Sequence, residues 1–200
     1  MKNAEIFDEI KQIAHFVHQK GWAERNAGNL SFRIDDAIYI TTSGSKFRDI
    51  ASQPGKYLIR SNEGTSTQTP STELPTHALI HAYLSEHAPE KKCVMHTHPT
   101  HLIALSHKFY HYTPQMINTL LESIMPEVAI FIPRQTGFVE LLTPGSTELA
   151  EQTLSNLSYH DVIVWKKHGC IAVADTFWDA VDMIDILDKA AYIALLAGLK

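Results

Sequence analysis

The stretch TFWDAVDMIDILDKAAYIALLAGL, residues 176–199, is apolar around most of its circumference when wound as a helix. A helix bordering solvent needs only one apolar stripe, so this one must be well covered by the rest of the chain. At 200 residues the chain is long enough to bury one substantial core and short for two ordinary domains. One domain spanning residues 1–200 is the expectation.

Several segments can supply the cover. Near the N-terminus, Ile6, Ile10, Ile13, Phe16 and Val17 fall on one side of a helix that Gly21 stops. NLSFRI and AIYITT alternate apolar and polar residues on either side of Asp35 and Asp36 and predict a hairpin, followed by SGSKFRDI as a loop. KYLIRS, NEG and TSTQT are expected as strand, turn and strand. From Leu74 to Glu86 apolar residues recur at helical spacing, with Pro75 tolerated in the first turn.

KKCVMHTH predicts a strand, a short helix begins near Leu102, and residues 113–124 are helical. EVAIFIP is expected as a buried strand, and TPGSTELAEQTLSNL has Thr and Ser caps ahead of a helical pattern. DVIVWKKHGCIAVAD predicts two strands meeting near Gly169. This irregular alternation, with several hairpins, favours a three-layer α/β/α domain around a central, mostly antiparallel sheet over a doubly wound parallel one.

A net charge of −5 argues against a broad nucleic-acid surface, although a small anion can still be held by backbone N–H groups, hydroxyls and amides. No uncharged stretch is long enough to cross a bilayer, and the first twenty residues mix Glu, Asp and Lys into what a secretory signal would keep apolar. The two cysteines, Cys93 and Cys170, sit in apolar strand-like runs and suit a reducing compartment. A cytoplasmic protein with no membrane or nucleic-acid partner is expected.

Twelve histidines are present, and they cluster. In a strand, His96 and His98 project from one face roughly 6.5 to 7 Å apart along the chain, with Val94, while Cys93, Met95 and Thr97 face the other way. A rival arrangement stacks Glu73, His77 and His81 at four-residue spacing along one helix face. Neither suffices alone. His168, at the end of an apolar strand with Gly169 beside it, offers a third imidazole, and three imidazoles plus an open position make a catalytic zinc site.

ERNAGNLSFR (24–33), TTSGSKFR (41–48), PSTELPTH (70–77), VMHTHPTHLIAL (94–105) and VWKKHGCIAVADTFWDAVDMIDILDKAA (164–191) occur in an order that resembles the class II aldolase/adducin family. The likeness covers nearly the whole chain, and the strings around STELP, MHTH and LIAL are most similar to the branch that cleaves L-rhamnulose 1-phosphate.

The resemblance implies a zinc-dependent aldolase that splits a ketose 1-phosphate into dihydroxyacetone phosphate and an aldehyde, here L-lactaldehyde. It implies that His96, His98 and His168 bind Zn²⁺ and that Glu73 is a mobile carboxylate acting as acid/base at C3. His77 and His81 then become supporting or packing residues. Asn26, Asn29, Ser43, Gly44, Ser71 and Thr72 match the loop positions that cradle the substrate phosphate. A homotetramer with its active site at the subunit interface is implied, with the neighbouring copy supplying Glu122 for the C4 oxygen; Tyr110 and Tyr112 are the alternatives.

Other activities within the same family are a fuculose-phosphate aldolase, a ribulose-phosphate 4-epimerase and a methylthioribulose-phosphate dehydratase. An adducin-like assembly module need not keep the three histidines, and their presence here disfavours it.

Overall fold

The centre of the sheet is the strand that carries the His-x-His pair. In the computed structural model, which describes residues 3–63, 68–108 and 111–198, β4 (Cys93–Thr97) pairs antiparallel with β1 (Asn29–Ile34) on one side and β7 (Gly169–Ala174) on the other. β1 continues through a hairpin into β2 (Ala37–Thr41), where Asp35 takes the left-handed conformation that a short polar side chain tolerates. β3 (Leu58–Arg60), β6 (Val162–Trp165) and β5 (Thr136–Val139) complete a seven-stranded sheet in the order β3-β2-β1-β4-β7-β6-β5. The β5–β6 pair is parallel and the rest are antiparallel, as the irregular alternation predicts.

Strand periodicity divides the sheet between two cores. Cys93, Met95, Cys170 and Ala172 face one apolar cluster, shared with α1 (Asn3–Lys20) and α9 (Phe177–Leu196). Val94, Ile163, Ile171 and Val173 face the other, under α4 (Leu74–His87) and α8 (Thr147–Leu157). The result is helix, sheet, helix.

The nearly all-apolar helix is covered as expected. Phe177, Ala180, Val181, Ile184, Leu187, Ala190, Ala191 and Ala194 of α9 are buried, against β4, β7, α1, α5 (Thr100–Ser106), α6 (Pro114–Ile124) and α7 (Pro126–Phe131). One buried residue on this helix is an acid. Asp188 accepts hydrogen bonds from the backbone N–H groups of His101 and Leu102 and sits 2.9 Å from His101 Nδ1, capping the start of α5. It thereby fixes the chain just after His98 and Pro99.

Three local expectations need correction or completion. EVAIFIP is not a buried strand: Pro126 occupies the first turn of α7, Val128 and Ile132 lie four apart on the core, and Ile130 and Phe131 are exposed. SGSKFRDI ends in a short helix, α2 (Phe47–Ile50), which buries Phe47 and Ile50; α3 (Pro54–Tyr57) precedes β3. Of the strand expected over TSTQT, residues 65–67 lie outside the described residues, Gln68 and Thr69 are in no strand, and Pro70 makes an isolated bridge to Thr42.

Candidate metal and active site

β4 ends at Thr97, and the next peptide is held by a bond from His98 N–H to the Trp22 carbonyl. His96 and His98 therefore project together at the mouth of the sheet. The turn between β6 and β7 delivers His168: Lys167 takes a left-handed conformation, donates its N–H to Ser106 Oγ, and the following Gly169 enters β7.

Gly169 is required by close approach. A Cβ there would lie 2.5 Å from the Thr97 carbonyl oxygen, 2.8 Å from the His98 ring and 3.1 Å from the His96 ring. Gly28 plays the same part from β1's side, at φ +74° with its missing Cβ 2.9 Å from the His96 carbonyl oxygen.

The three imidazoles meet around one point. One ligand nitrogen from each lies within 4.8 Å of the others. Ring centroids are 4.9 Å (His96–His98), 5.1 Å (His96–His168) and 5.0 Å (His98–His168) apart, at 66–68° to one another. That near-threefold disposition is the one three imidazoles adopt around a tetrahedral ion with its fourth position open.

Protonation suits this arrangement. His96 Nδ1 donates to the Cys170 carbonyl at 2.9 Å, leaving the Nε2 lone pair turned toward His98 Nε2 at 3.1 Å. His168 Nδ1 is buried without a partner. Burial first, then the nearby imidazoles, pushes His96 and His98 down to about 3, and burial also lowers His168. All three are neutral at pH 7 and can give lone pairs to a metal.

Glu73 stands beside the three imidazoles. It stands at the N-terminal end of α4, 6% exposed, with Oε2 3.6 Å from His96 Nε2 and accepting a 2.8 Å hydrogen bond from Asn29 Nδ2. Asn29 is the cross-strand partner of His96, so the sheet register itself puts the amide beside the acid.

These groups border a cavity that opens to solvent. Asn26 and Asn29 enter it from the approach to β1, Ser43 and Gly44 from the turn after β2, and Ser71 and Thr72 from the loop before α4. All the residues expected to bind metal or phosphate, and Glu73, thus line one space with a wall of hydroxyls, amides and backbone.

Glu122 does not join them. It lies on α6, half-buried, and accepts from Gln135 Nε2 at 3.0 Å. Tyr112 packs against the α9 core, and Tyr110 lies outside the described residues.

The structure adds residues that the motifs did not single out. Glu24 Oε2 lies 3.7 Å from His98 Nδ1, the side of the ring away from the other imidazoles. Thr42 and Ser45 also border the cavity. Ser31 sits two residues along β1 from Asn29, and so on the same face, a spacing that would have flagged it.

Comparison with known proteins places the chain in a family. The family described as Class II Aldolase and Adducin N-terminal domain matches residues 8–195. A rhamnulose-1-phosphate aldolase of Bacteroides thetaiotaomicron is 33% identical, over 97% of this chain and 86% of that protein. One from Listeria monocytogenes is 25% identical over 94% of this chain and 84% of its own length.

A solved sugar-phosphate aldolase from Thermotoga maritima superposes with a TM-score of 0.85 at 31% identity, covering 98% of this chain and 97% of that one. The L-fuculose-1-phosphate aldolase of Thermus thermophilus, at 20% identity, TM-score 0.79 and coverage of 98% and 96%, shares the fold. Matched along nearly its whole length, the chain belongs to the class II aldolase and adducin N-terminal domain family, among its aldolases.

Proposed function

We propose that this chain is a zinc-dependent aldolase that cleaves L-rhamnulose 1-phosphate to dihydroxyacetone phosphate and L-lactaldehyde. The observation that carries the proposal is the meeting of three neutral imidazoles within 4.8 Å, with a buried carboxylate 3.6 Å from one of them. A likeness of 33% identity to a rhamnulose-1-phosphate aldolase supports the choice of sugar.

His96, His98 and His168 would hold the ion, and the bare His96 Nε2 together with the unpartnered His168 Nδ1 fit such a role. Bound there, zinc supplies Lewis-acid stabilisation of the negative charge that cleavage leaves on the ketose fragment. Glu73 gives and takes the proton at C3 of that fragment, held in place by Asn29. The hydroxyls and amides of Asn26, Asn29, Ser43, Gly44, Ser71 and Thr72 surround the phosphate, and the N-terminal end of α4, just after Ser71 and Thr72, favours its negative charge.

In this proposal residues 1–200 act as one domain in a cytoplasmic homotetramer, and a neighbouring copy brings Glu122 to the C4 oxygen. The exposed side chains of Met116 on α6 and of Ile130 and Phe131 on α7 offer apolar surface for such a copy. Among the described residues no helix is long and apolar enough to cross a membrane.

The test measures dihydroxyacetone phosphate release from rhamnulose, fuculose and ribulose phosphates, with and without a chelator. The expected result is release from rhamnulose 1-phosphate that the chelator removes and zinc restores. A zinc-loaded protein that releases none from any 6-deoxyketose 1-phosphate overturns the proposal.

A further inference from the structure

Glu73 is the outer end of a line of hydrogen bonds that runs back into the protein. Asn29 Nδ2 is 2.8 Å from Glu73 Oε2, and Asn29 Oδ1 is 2.5 Å from His77 Nε2. His77 Nδ1 is 2.6 Å from Ser31 Oγ, which is in turn 2.8 Å from His81 Nε2. His77 and His81 are essentially sealed from solvent, at 0% and 1% exposure, and neither they nor Ser31 line the cavity.

The direction of donation along this line follows from its outer end. Asn29 Nδ2 donates to Glu73 Oε2, so the amide's carbonyl oxygen, which can only accept, faces His77. His77 Nε2 therefore carries a proton. In a neutral ring Nδ1 is then bare, and it accepts the single hydroxyl proton of Ser31. With that proton spent, Ser31 Oγ accepts from His81 Nε2–H. The line ends on a bare Nδ1 of His81, buried without a partner.

Both rings are held neutral by their surroundings. Burial pushes His77 well below the ordinary imidazole value, with the charges of His81 and His96 adding to it. Burial, then the Arg33 guanidinium, brings His81 down to about 4.

We propose that Ser31, His77 and His81 are positioning residues whose one-directional hydrogen bonds, His81 to Ser31 to His77 to Asn29, lock the Asn29 amide with its NH₂ facing Glu73 and so aim that carboxylate. This rests on the reading of Glu73 as the group that moves the C3 proton. The opposite tautomer of His77 would present a bare Nε2 to Asn29. The amide would then turn over and set its carbonyl oxygen against the Glu73 carboxylate, acceptor against acceptor. A ring that touches neither the cavity nor the imidazole triad thus decides which way the reacting acid is held.

The first test reads ring protons directly, by long-range ¹H–¹⁵N NMR on the full chain labelled at histidine, with His77→Gln and His81→Gln used for assignment. Both rings are expected to stay neutral with the proton on Nε2 down to about pH 5. A proton on His77 Nδ1, or a doubly protonated His77 or His81 above that pH, overturns the array.

The second test separates positioning from mere stability. For His77→Phe, kcat for phosphate-sugar cleavage should fall about 10- to 100-fold, with KM within about threefold and zinc stoichiometry unchanged. His77→Gln, which can still donate and accept, should recover about tenfold of that loss. Equal kcat in the Phe and Gln variants, or a Phe variant within twofold of the unaltered chain, overturns the proposal. If His77→Phe fails to fold, the NMR result on the unaltered chain decides the matter. If the unaltered chain cleaves none of these phosphates, the proposed function fails, while the ring-proton result still decides the array.

Discussion

The molecule holds two groups of histidines on one face of the sheet, and they use their nitrogens in opposite ways. His96, His98 and His168 converge, ring against ring, on a point beside the cavity. His77 and His81, one turn apart on α4, both direct a nitrogen to Ser31 Oγ and are linked in a line. Burial is the leading cause of a lowered pKa in both groups, so the shift does not tell a ligand from a hydrogen-bonded core residue. Geometry does: one nitrogen from each of His96, His98 and His168 converges on a shared space, whereas His77 and His81 turn theirs to Asn29 and Ser31.

The sharpest way to separate the groups is to remove one member from each. His168→Ala should lose its metal, and with it several kcal/mol of transition-state stabilisation, so kcat/KM should fall by about 10³-fold or more. His81→Gln should keep metal stoichiometry, as read by elemental analysis of the purified protein. If His81→Gln also lost its metal, the division between the two groups would be wrong.

Acid titration should give the next largest effect. The His81 pKa is lowered from 6.5 unfolded to about 4 folded. Between those values the unfolded chain binds the proton and the folded chain does not, so stability is fully present above pH 6.5 and is lost as the pH falls toward 4. The loss is roughly 3 kcal/mol for His81 alone, with His77 adding in the same direction. Urea unfolding at stepped pH should show a shallower decline in His81→Gln than in the unaltered chain; identical slopes would count against a neutral buried ring.

Gly169→Ala tests convergence by crowding it. The added carbon must displace the Thr97 carbonyl and the His98 ring, at a cost of about 1–3 kcal/mol, and should reduce zinc occupancy while leaving the Ser31 line intact. Thermal unfolding and metal analysis on one sample check both halves. The smallest effect belongs to Glu24→Gln, which removes the charge of a mostly exposed carboxylate 3.7 Å from His98 Nδ1. Zinc affinity, measured by competition with a chelator, should weaken by about tenfold at most, with no change in folding.

Much of this arrangement is legible in the residues because two-residue periodicity and His-x-His require only local geometry. Val94, His96 and the alternating Cys93 and Met95 fall on the expected faces of β4. The short run EVAIFIP carries no such period, and a few apolar residues between prolines suit a helix that buries only Val128 and Ile132 as well as they suit a strand.

The line through Ser31 is hidden for a different reason. Its partners are 46 and 50 positions away, and only the packing of α4 on β1 brings them together. Their four-residue spacing on one helix face suits clasping an ion equally well. Glu24 beside His98 is likewise a meeting across the fold with no local pattern to announce it.

Asp188 ties the start of α5, and so the backbone leaving His98, to a helix that lies far along the chain. Along the chain two of the three imidazoles come first, the third follows from the turn after β6, and the carboxylate that pins the backbone beside the first two comes last, from α9. The arrangement of the triad thus depends on the packing of the last helix, and a change that loosened α9 would be transmitted to the mouth of the sheet.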